Sequence, residues 1–464
     1  MACSQIMLRI AILLLLLLTI SSSSSNLPDQ DSISSSMPSL LYPRKNVSFT
    51  ARLIHRTSPE SPFYDPNAKC DDLIGDGIRT SLARAHFLGK RTSILAESLI
   101  NARSPVRVIG VDFVMSYSIG TPPVKTFGIA DTASHVIWLQ CQPCDRCYKQ
   151  SIPFYNRDES STYKSLPCGP RCDSFGDTTC YSSSPWGAIC RYHSDYMEKS
   201  SSNGYLSTET IMLPDNGITG EAILEDMIFG CGTENTDRDT KPKPPGVIGL
   251  SNRTSSLIGQ LAYPRFSYYI FTNSSGTHGW IHFGLSATTS GPGTSLVPND
   301  FGHYRLSLVG LMVSGQDIDY DFSSYNQAPE YEGGFVIDTG TLYTVLDEPI
   351  FNALREKIAY EVYDEEPQSY NEIDHGTRFE LCYKNAPDYP EVEFQFANQM
   401  ELMLCKSNTW VKVSNGLHCL AILKASEGIS VLGMYQQRHL QVGYDLSINQ
   451  VTMKYQVPCP DNIE

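Results

Sequence analysis

The 464-residue chain has little of several features that define common protein classes. Apart from an apolar stretch at residues 10–20, no segment approaches the roughly 20 apolar residues that a membrane-spanning helix needs, so no membrane association is expected. Lysine and arginine number 35 against 50 aspartates and glutamates, and the net charge of −15 argues against nucleic acid as a partner. The chain also lacks a glycine-rich phosphate loop, a His-Glu-x-x-His motif and a Gly-x-Ser-x-Gly turn, so we expect no nucleotide, metal, serine nucleophile or other cofactor.

The N-terminal part of the chain differs from the rest in amino-acid composition. Residues 1–25 contain one early arginine, a short apolar core and a serine run, which is the layout of a secretory signal peptide. Residues 26–108 are polar and then basic, which predicts a removable pro-segment whose cationic side chains lie against acidic catalytic groups and block them. The alternative is a disordered leader that only aids folding. The basic residues of this segment include Arg52, His55, Arg56, Arg79, Arg84, Lys90, Arg91 and Arg103.

Fourteen cysteines fit the oxidising route of a secreted protein, whether extracellular or vacuolar. Removing Cys3 with the signal peptide and Cys70 with the pro-segment leaves twelve, an even number compatible with six disulfides. The trio Cys141-x-x-Cys144-x-x-Cys147 could hold zinc in another setting, but no histidine or second pair completes a metal site nearby, and disulfides are the preferred interpretation. Sequons that permit N-glycans begin at Asn46, Asn252 and Asn273.

Beyond residue 108, short β-branched and aromatic runs alternate with turn residues, which predicts a mostly β fold. Long helical periodicity is scarce, and the best candidate helix covers residues 348–363. Roughly 350 residues exceed one ordinary β domain, so two lobes are expected. The loop at 286–295 divides an N-terminal lobe at 109–290 from a C-terminal lobe at 296–464.

One short pattern occurs twice in the chain. An apolar run closes on Asp-Thr-Ala-Ser at 131–134 and another on Asp-Thr-Gly-Thr at 338–341. Each copy is followed, about a hundred residues later, by an apolar-apolar-glycine triplet that ends at Gly249 or Gly433. One such triplet is common in any buried strand, but two in the same order after an Asp-Thr turn indicate two related half-sites.

The chemistry of such half-sites follows from the carboxylates of Asp131 and Asp338. Two carboxylates within hydrogen-bond reach cannot both ionise cheaply, so they share one proton. One carboxylate can then take a proton from an attacking water, while its protonated partner donates to a carbonyl oxygen. This is the chemistry of amide hydrolysis.

With these half-sites in view, the chain resembles the pepsin-type aspartic proteases, most closely the plant nepenthesin-like branch. The resemblance runs through Leu-Ile-His-Arg at 53–56, Ser-Ile-Gly-Thr-Pro-Pro at 118–123, Trp-Leu-Gln-Cys at 138–141, a cysteine-rich insert at 141–190 and Tyr-Gln-Gln at 435–437. It implies a bilobal β fold in which two β-rich lobes flank a substrate cleft and each lobe contributes one catalytic aspartate, Asp131 or Asp338.

The resemblance also implies roles for the residues around the aspartates. Thr132 and Thr339 would brace the two turns against each other, and Ser134 and Thr341 would hydrogen-bond the carboxylates, with Gly340 in the second turn. A flap would close over the substrate with Tyr196 beneath it and Trp138 as the partner of that tyrosine.

The sequence departs from the family pattern at the first turn and at the flap tip. Ala133 stands where the family has glycine, and a Cβ there would crowd the catalytic water or strain the turn if φ is positive. The flap tip at 196–200 reads Tyr-Met-Glu-Lys-Ser, without the usual glycines. We expect a monomeric secreted aspartic endopeptidase that loses its pro-segment by cleavage near residues 104–111 and cleaves proteins and peptides at acid pH. The alternative is a catalytically impaired relative that binds peptides or proteins, or acts as an inhibitor, because of Ala133.

Overall fold

The computed structural model of the chain describes residues 49–92, 113–182, 187–196, 200–213, 222–237, 243–261, 264–273, 276–327, 334–371, 378–384, 389–425 and 429–457. These residues belong to one compact unit, Arg44–Glu464. The predicted signal peptide at 1–25, the sequon at Asn46, the expected cleavage region at 104–111 and the flap tip at 197–199 lie outside the described residues.

Helices are few among the described residues, as the sequence predicts. They are α1 Cys70–Thr92, α2 Pro170–Asp173, α3 Leu257–Gln260, α4 Phe322–Gln327, α5 Glu348–Glu361 and α6 Lys406–Thr409. The helix predicted at 348–363 is α5, and its buried residues recur at helical spacing, at Ile350, Leu354 and Ile358. Helix α1, the longest, is not predicted by the sequence reading above.

Most of the described chain forms strands. They are β1 Phe49–His55, β2 Phe113–Ile119, β3 Val124–Asp131, β4 Trp138–Gln142, β5 Tyr155–Asn156, β6 Lys164–Ser165, β7 Thr178–Tyr181, β8 Ile189–Asp195, β9 Ser201–Leu213, β10 Ala222–Thr236, β11 Gly246–Gly249, β12 Arg265–Asn273, β13 Gly276–Phe283, β14 Gly293–Ser295, β15 Arg305–Leu306, β16 Leu308–Val313, β17 Gln316–Asp317, β18 Phe335–Ile337, β19 Thr344–Leu346, β20 Gln368–Asn371, β21 Arg378–Tyr383, β22 Val392–Phe396, β23 Met400–Met403, β24 Trp410–Lys412, β25 His418–Leu420, β26 Ile422–Lys424, β27 Ser430–Leu432, β28 Leu440–Asp445 and β29 Gln450–Tyr455. The fold is therefore mostly β and bilobal, which confirms the predicted class.

The strands assemble into one large sheet and three smaller ones within the described residues. The large sheet runs β14-β29-β28-β12-β13-β1-β2-β3-β11-β4-β10-β9-β8-β7, with β5 on β4 and β6 on β9. The smaller sheets run β15-β18-β27-β19-β26, β17-β16-β22-β23 and β20-β21-β25-β24. The domain boundaries at 109–290 and 296–464 stay predictions.

The same three-strand arrangement occurs in both halves of the chain. In the first half β11 lies between β3, to which it is parallel, and β4. In the second half β27 lies between β18, to which it is parallel, and β19. Close packing explains why glycine is found at both repeated positions. A Cβ on Gly249 would lie 2.7 Å from the Ser134 backbone carbonyl oxygen, and one on Gly433 would lie 2.6 Å from the Leu342 backbone carbonyl oxygen. These glycines let the chain that follows each aspartate cross the end of the neighbouring strand.

Disulfides form within the cysteine-rich insert and beyond it. The described pairs are Cys141–Cys231, Cys144–Cys147, Cys168–Cys180, Cys172–Cys190 and Cys382–Cys419. Cys405 is disulfide-bonded as well. All three cysteines of the trio that could have held zinc are thus used in disulfides.

Candidate active site

Asp131 lies at the C-terminal end of β3, and its carboxylate is held by its own turn. The Ser134 hydroxyl donates to Oδ2 at 2.5 Å, and the Ala133 backbone N–H donates to Oδ1 at 2.9 Å. Only 4% of the residue is exposed. The short turn therefore fixes the carboxylate with one hydroxyl and one backbone donor.

Asp338 lies directly after β18 and repeats this arrangement. The Thr341 hydroxyl donates to Oδ2 at 2.7 Å, and the Gly340 backbone N–H donates to Oδ1 at 3.1 Å. Asp338 is fully buried. The two half-sites predicted from the repeated sequence thus have the same local hydrogen bonding.

The threonines of the two turns brace each other across the site. The Thr132 backbone N–H donates to the Thr339 hydroxyl at 3.2 Å, and the Thr339 N–H donates to the Thr132 hydroxyl at 3.0 Å. The Thr339 hydroxyl in turn donates to the Ala130 carbonyl at 3.0 Å. This reciprocal pair fixes the distance between the turns, because each hydroxyl accepts from the backbone of the opposite half.

Arg84 of α1 joins the two carboxylates. Its Nη2 donates to Asp131 Oδ1 at 2.6 Å and to Asp338 Oδ1 at 3.4 Å, while its Nε donates to Asp338 Oδ2 at 3.0 Å. The Arg84 side chain is 4% exposed, so this is a buried cluster of one cation and two acids. One guanidinium nitrogen therefore lies between the two Oδ1 atoms, which shows that the carboxylates face a common point.

The pKa of Asp131 is raised above its ordinary value of 3.8. Burial is the largest cause, and the neighbouring Asp338 carboxylate adds to it. The Arg84 guanidinium and the donors Ser134 and Ala133 act in the opposite direction without reversing the shift. Burial and a second acid are the conditions under which two carboxyl groups hold one proton between them.

Helix α1 is attached to the C-terminal half by polar contacts along the part of the helix that precedes Arg84. The Tyr343 backbone N–H donates to the Ser81 hydroxyl at 2.9 Å, and the Tyr370 hydroxyl donates to Asp71 Oδ1 at 3.0 Å. A Cβ on Gly77 would lie 2.6 Å from Leu342 Cδ2, so the helix approaches this segment closely. Together these contacts place Arg84 over the carboxylates.

Ala133 occupies the position where the resemblance implies glycine. Its φ is not positive, so the strain considered above for a left-handed conformation does not arise. The residue is 4% exposed and belongs to a buried apolar cluster with Ile74, Ala85 and Leu88 of α1. At the matching position a Cβ on Gly340 would lie 3.1 Å from Arg84 Nη2 and 3.2 Å from Asp131 Oδ1. The pseudo-symmetry therefore directs the Ala133 methyl toward the opening in front of the carboxylates.

Tyr196 and Trp138 come together as the resemblance implies. The Trp138 indole N–H donates to the Tyr196 hydroxyl at 2.6 Å, with ring centroids 6.0 Å apart. Burial raises the pKa of Tyr196 to about 12, so the hydroxyl keeps its proton at neutral and acid pH. A pocket beside Ser134 and Tyr196 is also lined by Arg84 and Phe87, so α1 and this tyrosine face the same space.

The structure thus brings together Asp131, Asp338, Thr132, Ser134, Thr339, Gly340 and Thr341, with Tyr196 and Trp138 to one side. The residue that sequence reasoning did not single out is Arg84, which is one of many basic residues in the predicted pro-segment. A signal for its helix was available, because Ile74, Ile78, Ala85 and Leu88 recur at helical spacing.

Among the described residues no group of three or more histidine, cysteine, aspartate or glutamate side chains is arranged to hold a metal ion. None of the helices in the described ranges is both long and apolar enough to cross a membrane.

Comparisons with known proteins show which chains this one is similar to. Residues 113–285 match the family model described as xylanase inhibitor N-terminal, and residues 303–454 match the one described as xylanase inhibitor C-terminal. The chain is 32% identical to a probable aspartic protease of Arabidopsis thaliana over 89% of its own length and 94% of that protein. It is 28% identical to the aspartic proteinase nepenthesin-2 of Nepenthes gracilis, over 80% of its own length and 83% of that protein.

Solved structures give the same fold. The basic 7S globulin from soybean superposes with a TM-score of 0.59 at 17% identity, covering 74% of this chain and 92% of the globulin. Conglutin gamma from lupine seeds superposes with a TM-score of 0.57 at 18% identity, covering 74% of this chain and 92% of conglutin gamma. At these identities the likeness concerns the fold alone.

Proposed function

Because the chain belongs to the pepsin-like aspartic protease family, with N- and C-terminal domains of the xylanase-inhibitor type, we propose that it is an acid endopeptidase made as a zymogen. The observation that carries this proposal is that two buried carboxylates, Asp131 and Asp338, face one common point and are braced by matching donors. We further propose that it is secreted and acts as a monomer on protein and peptide substrates.

In the proposed reaction water is the nucleophile. It takes the position between the two Oδ1 atoms that Arg84 Nη2 occupies in the intact chain. One carboxylate removes a proton from this water as it attacks the peptide carbonyl, and the protonated partner donates to the carbonyl oxygen. The tetrahedral intermediate then collapses with protonation of the leaving nitrogen. The bracing by Thr132 and Thr339 keeps the shared proton in place.

The intact chain is closed by its own pro-segment in this proposal. Arg84 keeps its positive charge at any relevant pH, so its burial is compensated only while the carboxylate pair carries negative charge. Acidification protonates the pair and leaves the guanidinium buried without a counter-charge. The contact of α1 with the site is then weakened, and cleavage near residues 104–111 removes the blocking segment.

The test is to acidify the purified intact chain and follow a mixed peptide library by mass spectrometry. Cleavage is expected in the natural form and in a control, Asp317→Ala, which changes an exposed acid. It is expected to vanish in Asp131→Ala. A statine-type peptide should block the reaction, whereas chelators and thiol reagents should not. Inhibition by a chelator, or full activity in Asp131→Ala, would contradict the carboxylate mechanism.

A second candidate function is a catalytically impaired protein that binds peptides or proteins in the same cleft. The observation that favours it is the Ala133 methyl, which the pseudo-symmetry with Gly340 directs toward the opening in front of the carboxylates. The description of the matching domains as xylanase inhibitor domains is compatible with such a role. It would be supported if the acidified natural chain bound a statine-type peptide without cleaving any library member, and if Ala133→Gly cleaved.

A further inference from the structure

The predicted pro-segment contributes two elements to the described fold, β1 and α1, and β1 is a central strand of the large sheet. Strand β1 lies between β13 and β2 in the large sheet. It pairs antiparallel with β13 from Phe49 opposite Phe283 to Ile54 opposite His278, and with β2 from Leu53 opposite Met115 to His55 opposite Phe113. Along the described sheet β1 is the strand that connects the β14-β29-β28-β12-β13 portion to the portion beginning with β2.

The side chains of β1 are part of the core. Phe49, Ala51 and Leu53 are each at most 2% exposed and belong to the largest apolar cluster of the described chain. The Phe49 ring stacks on Phe283 with centroids 4.5 Å apart. The turn after β1 also packs inward, since Phe63 is 8% exposed and its ring meets Phe127 edge-on. Residues 49–63 therefore behave as part of the catalytic body.

Loss of β1 would expose two strand edges. Strands β2 and β13 would each present unpaired backbone N–H and C=O groups, together with the apolar side chains that β1 covers. A removable β1 would therefore need a replacement of similar length that pairs on both sides.

The sequence just before β2 is a poor replacement. In residues 103–112, Pro105 lacks the N–H that a central strand needs, and Gly110 weakens pairing. Only the four residues between Pro105 and Gly110 could pair without these defects, whereas β1 is seven residues long. Exchange of β1 for this segment would leave much of the position unfilled.

Helix α1 is connected to β1 by an accessible segment. Tyr64, Pro66, Asn67, Lys69 and Cys70 are all exposed, and this run follows directly after the buried Phe63. Exposed polar connections between packed elements are the usual sites of proteolytic nicking. The inhibitory Arg84 lies on the far side of this connection from β1.

We propose that activation includes a second cut within residues 64–70, which frees α1 while the β1 peptide stays bound as a non-covalent strand of the mature enzyme. Each cut adds one water across one peptide bond and leaves a carboxylate and an amine. This inference rests on the proposed function for the origin of the cut, but the retention of β1 depends only on the packing of residues 49–63.

The first experiment uses the natural chain. It is acidified, passed over a gel-filtration column, and the protein peak is denatured and analysed by mass spectrometry. A peptide that contains residues 49–63 and ends within 64–70 is expected in the protein peak, with the α1 peptide in the late fractions. Loss of the whole segment 49–92 from an otherwise folded protein would overturn the proposal.

A second experiment removes the dependence on the chain's own activity. A recognition sequence for an external protease is inserted between Asn67 and Ala68 in an Asp131→Ala background, and a second one at residues 100–101. After digestion the peptide with β1 is expected to co-elute with the body, and Leu53→Asp should release it. Release of the β1 peptide without Leu53→Asp overturns the inference. If the natural chain stays uncut at acid pH but β1 is retained here, the proposed function and the cut within 64–70 fail, and the retention of β1 stands.

Discussion

Arg84 Nη2 of α1 lies 2.6 Å from Asp131 Oδ1 of β3, although the two residues are 47 positions apart in sequence. The same nitrogen reaches Asp338 Oδ1, so one pro-segment side chain contacts both halves of the candidate active site. The contact gives the pro-segment a specific chemical role, because it supplies the positive charge that compensates the negative charge of the buried carboxylate pair.

Replacing Arg84 by glutamine should make the candidate active site accessible in the uncut chain. Removing one partner of a buried ion pair typically destabilises the contact by about 3–5 kcal/mol, so α1 should leave the carboxylates at a less acidic pH. We expect uncut Arg84→Gln to bind a statine-type peptide at a pH at which the uncut natural chain does not. The control is Arg52→Gln, which changes an exposed pro-segment arginine paired with Glu60. Equal inhibitor binding by the natural chain and Arg84→Gln at every pH would contradict the blocking role.

The raised pKa of Asp131 predicts how stability depends on pH. The folded chain holds the proton more tightly than the unfolded chain, so this group's contribution is fully present below pH 3.8 and is lost as pH rises through the folded pKa. The unfolding temperature of the natural chain, measured relative to that of Asp131→Asn, should therefore fall as pH increases from about 3.8 upward. A rise of this difference with pH would contradict the prediction, because it would show that the Arg84 charge outweighs burial at Asp131.

The Ala133 methyl can be tested with a matched pair of variants. Ala133→Gly removes a buried methyl without relieving a strained φ, so it should lower the free energy of unfolding by about 1 kcal/mol. Its peptide cleavage rate should stay within tenfold of the natural form. Gly340→Ala adds a methyl 3.2 Å from Asp131 Oδ1 and should reduce cleavage much more. Denaturant unfolding and kcat/KM measure the two effects. Activity that appears only in Ala133→Gly would favour the impaired-protein alternative.

The hydrogen bond between Trp138 and Tyr196 should couple the two side chains energetically. Tyr196→Phe and Trp138→Phe each remove it, so their effects on kcat/KM should not add, and the double-mutant cycle should give an interaction energy of about 1 kcal/mol. Both variants are expected to weaken substrate binding because the hydroxyl no longer orients the tyrosine. Strict additivity would show that the contact has no role in the reaction.

The site was predictable from sequence to the extent that it rests on local repeats. The turns around Asp131 and Asp338 repeat in sequence and in hydrogen bonding, and the glycines at 249 and 433 mark the strands beside them. Arg84 was not predictable in this way, since a basic residue has no local signature that tells which carboxylate it meets across the fold.

Helix α1 escaped prediction for a related reason. Its apolar stripe contains Ser81 and lies next to the buried polar residues Asp76, Arg79 and Arg84. The helix buries polar as well as apolar side chains, so the helical spacing of its apolar residues is not accompanied by the clean separation of faces by which amphipathic helices are identified. The pairing of β1 with β13 likewise joins segments more than two hundred residues apart and has no local signal.

The most direct test of the proposed function compares peptide cleavage by the acid-activated natural chain and by Asp338→Asn at matched concentration. The second aspartate is used because a two-carboxylate reaction fails when either acid is lost, even with Asp131 intact. We predict cleavage by the natural chain and a rate at least a thousandfold lower for Asp338→Asn, consistent with the loss of a general acid–base group from a coupled pair. Equal rates in the two forms, or no cleavage by a natural chain from which α1 has been removed, would contradict the proposal.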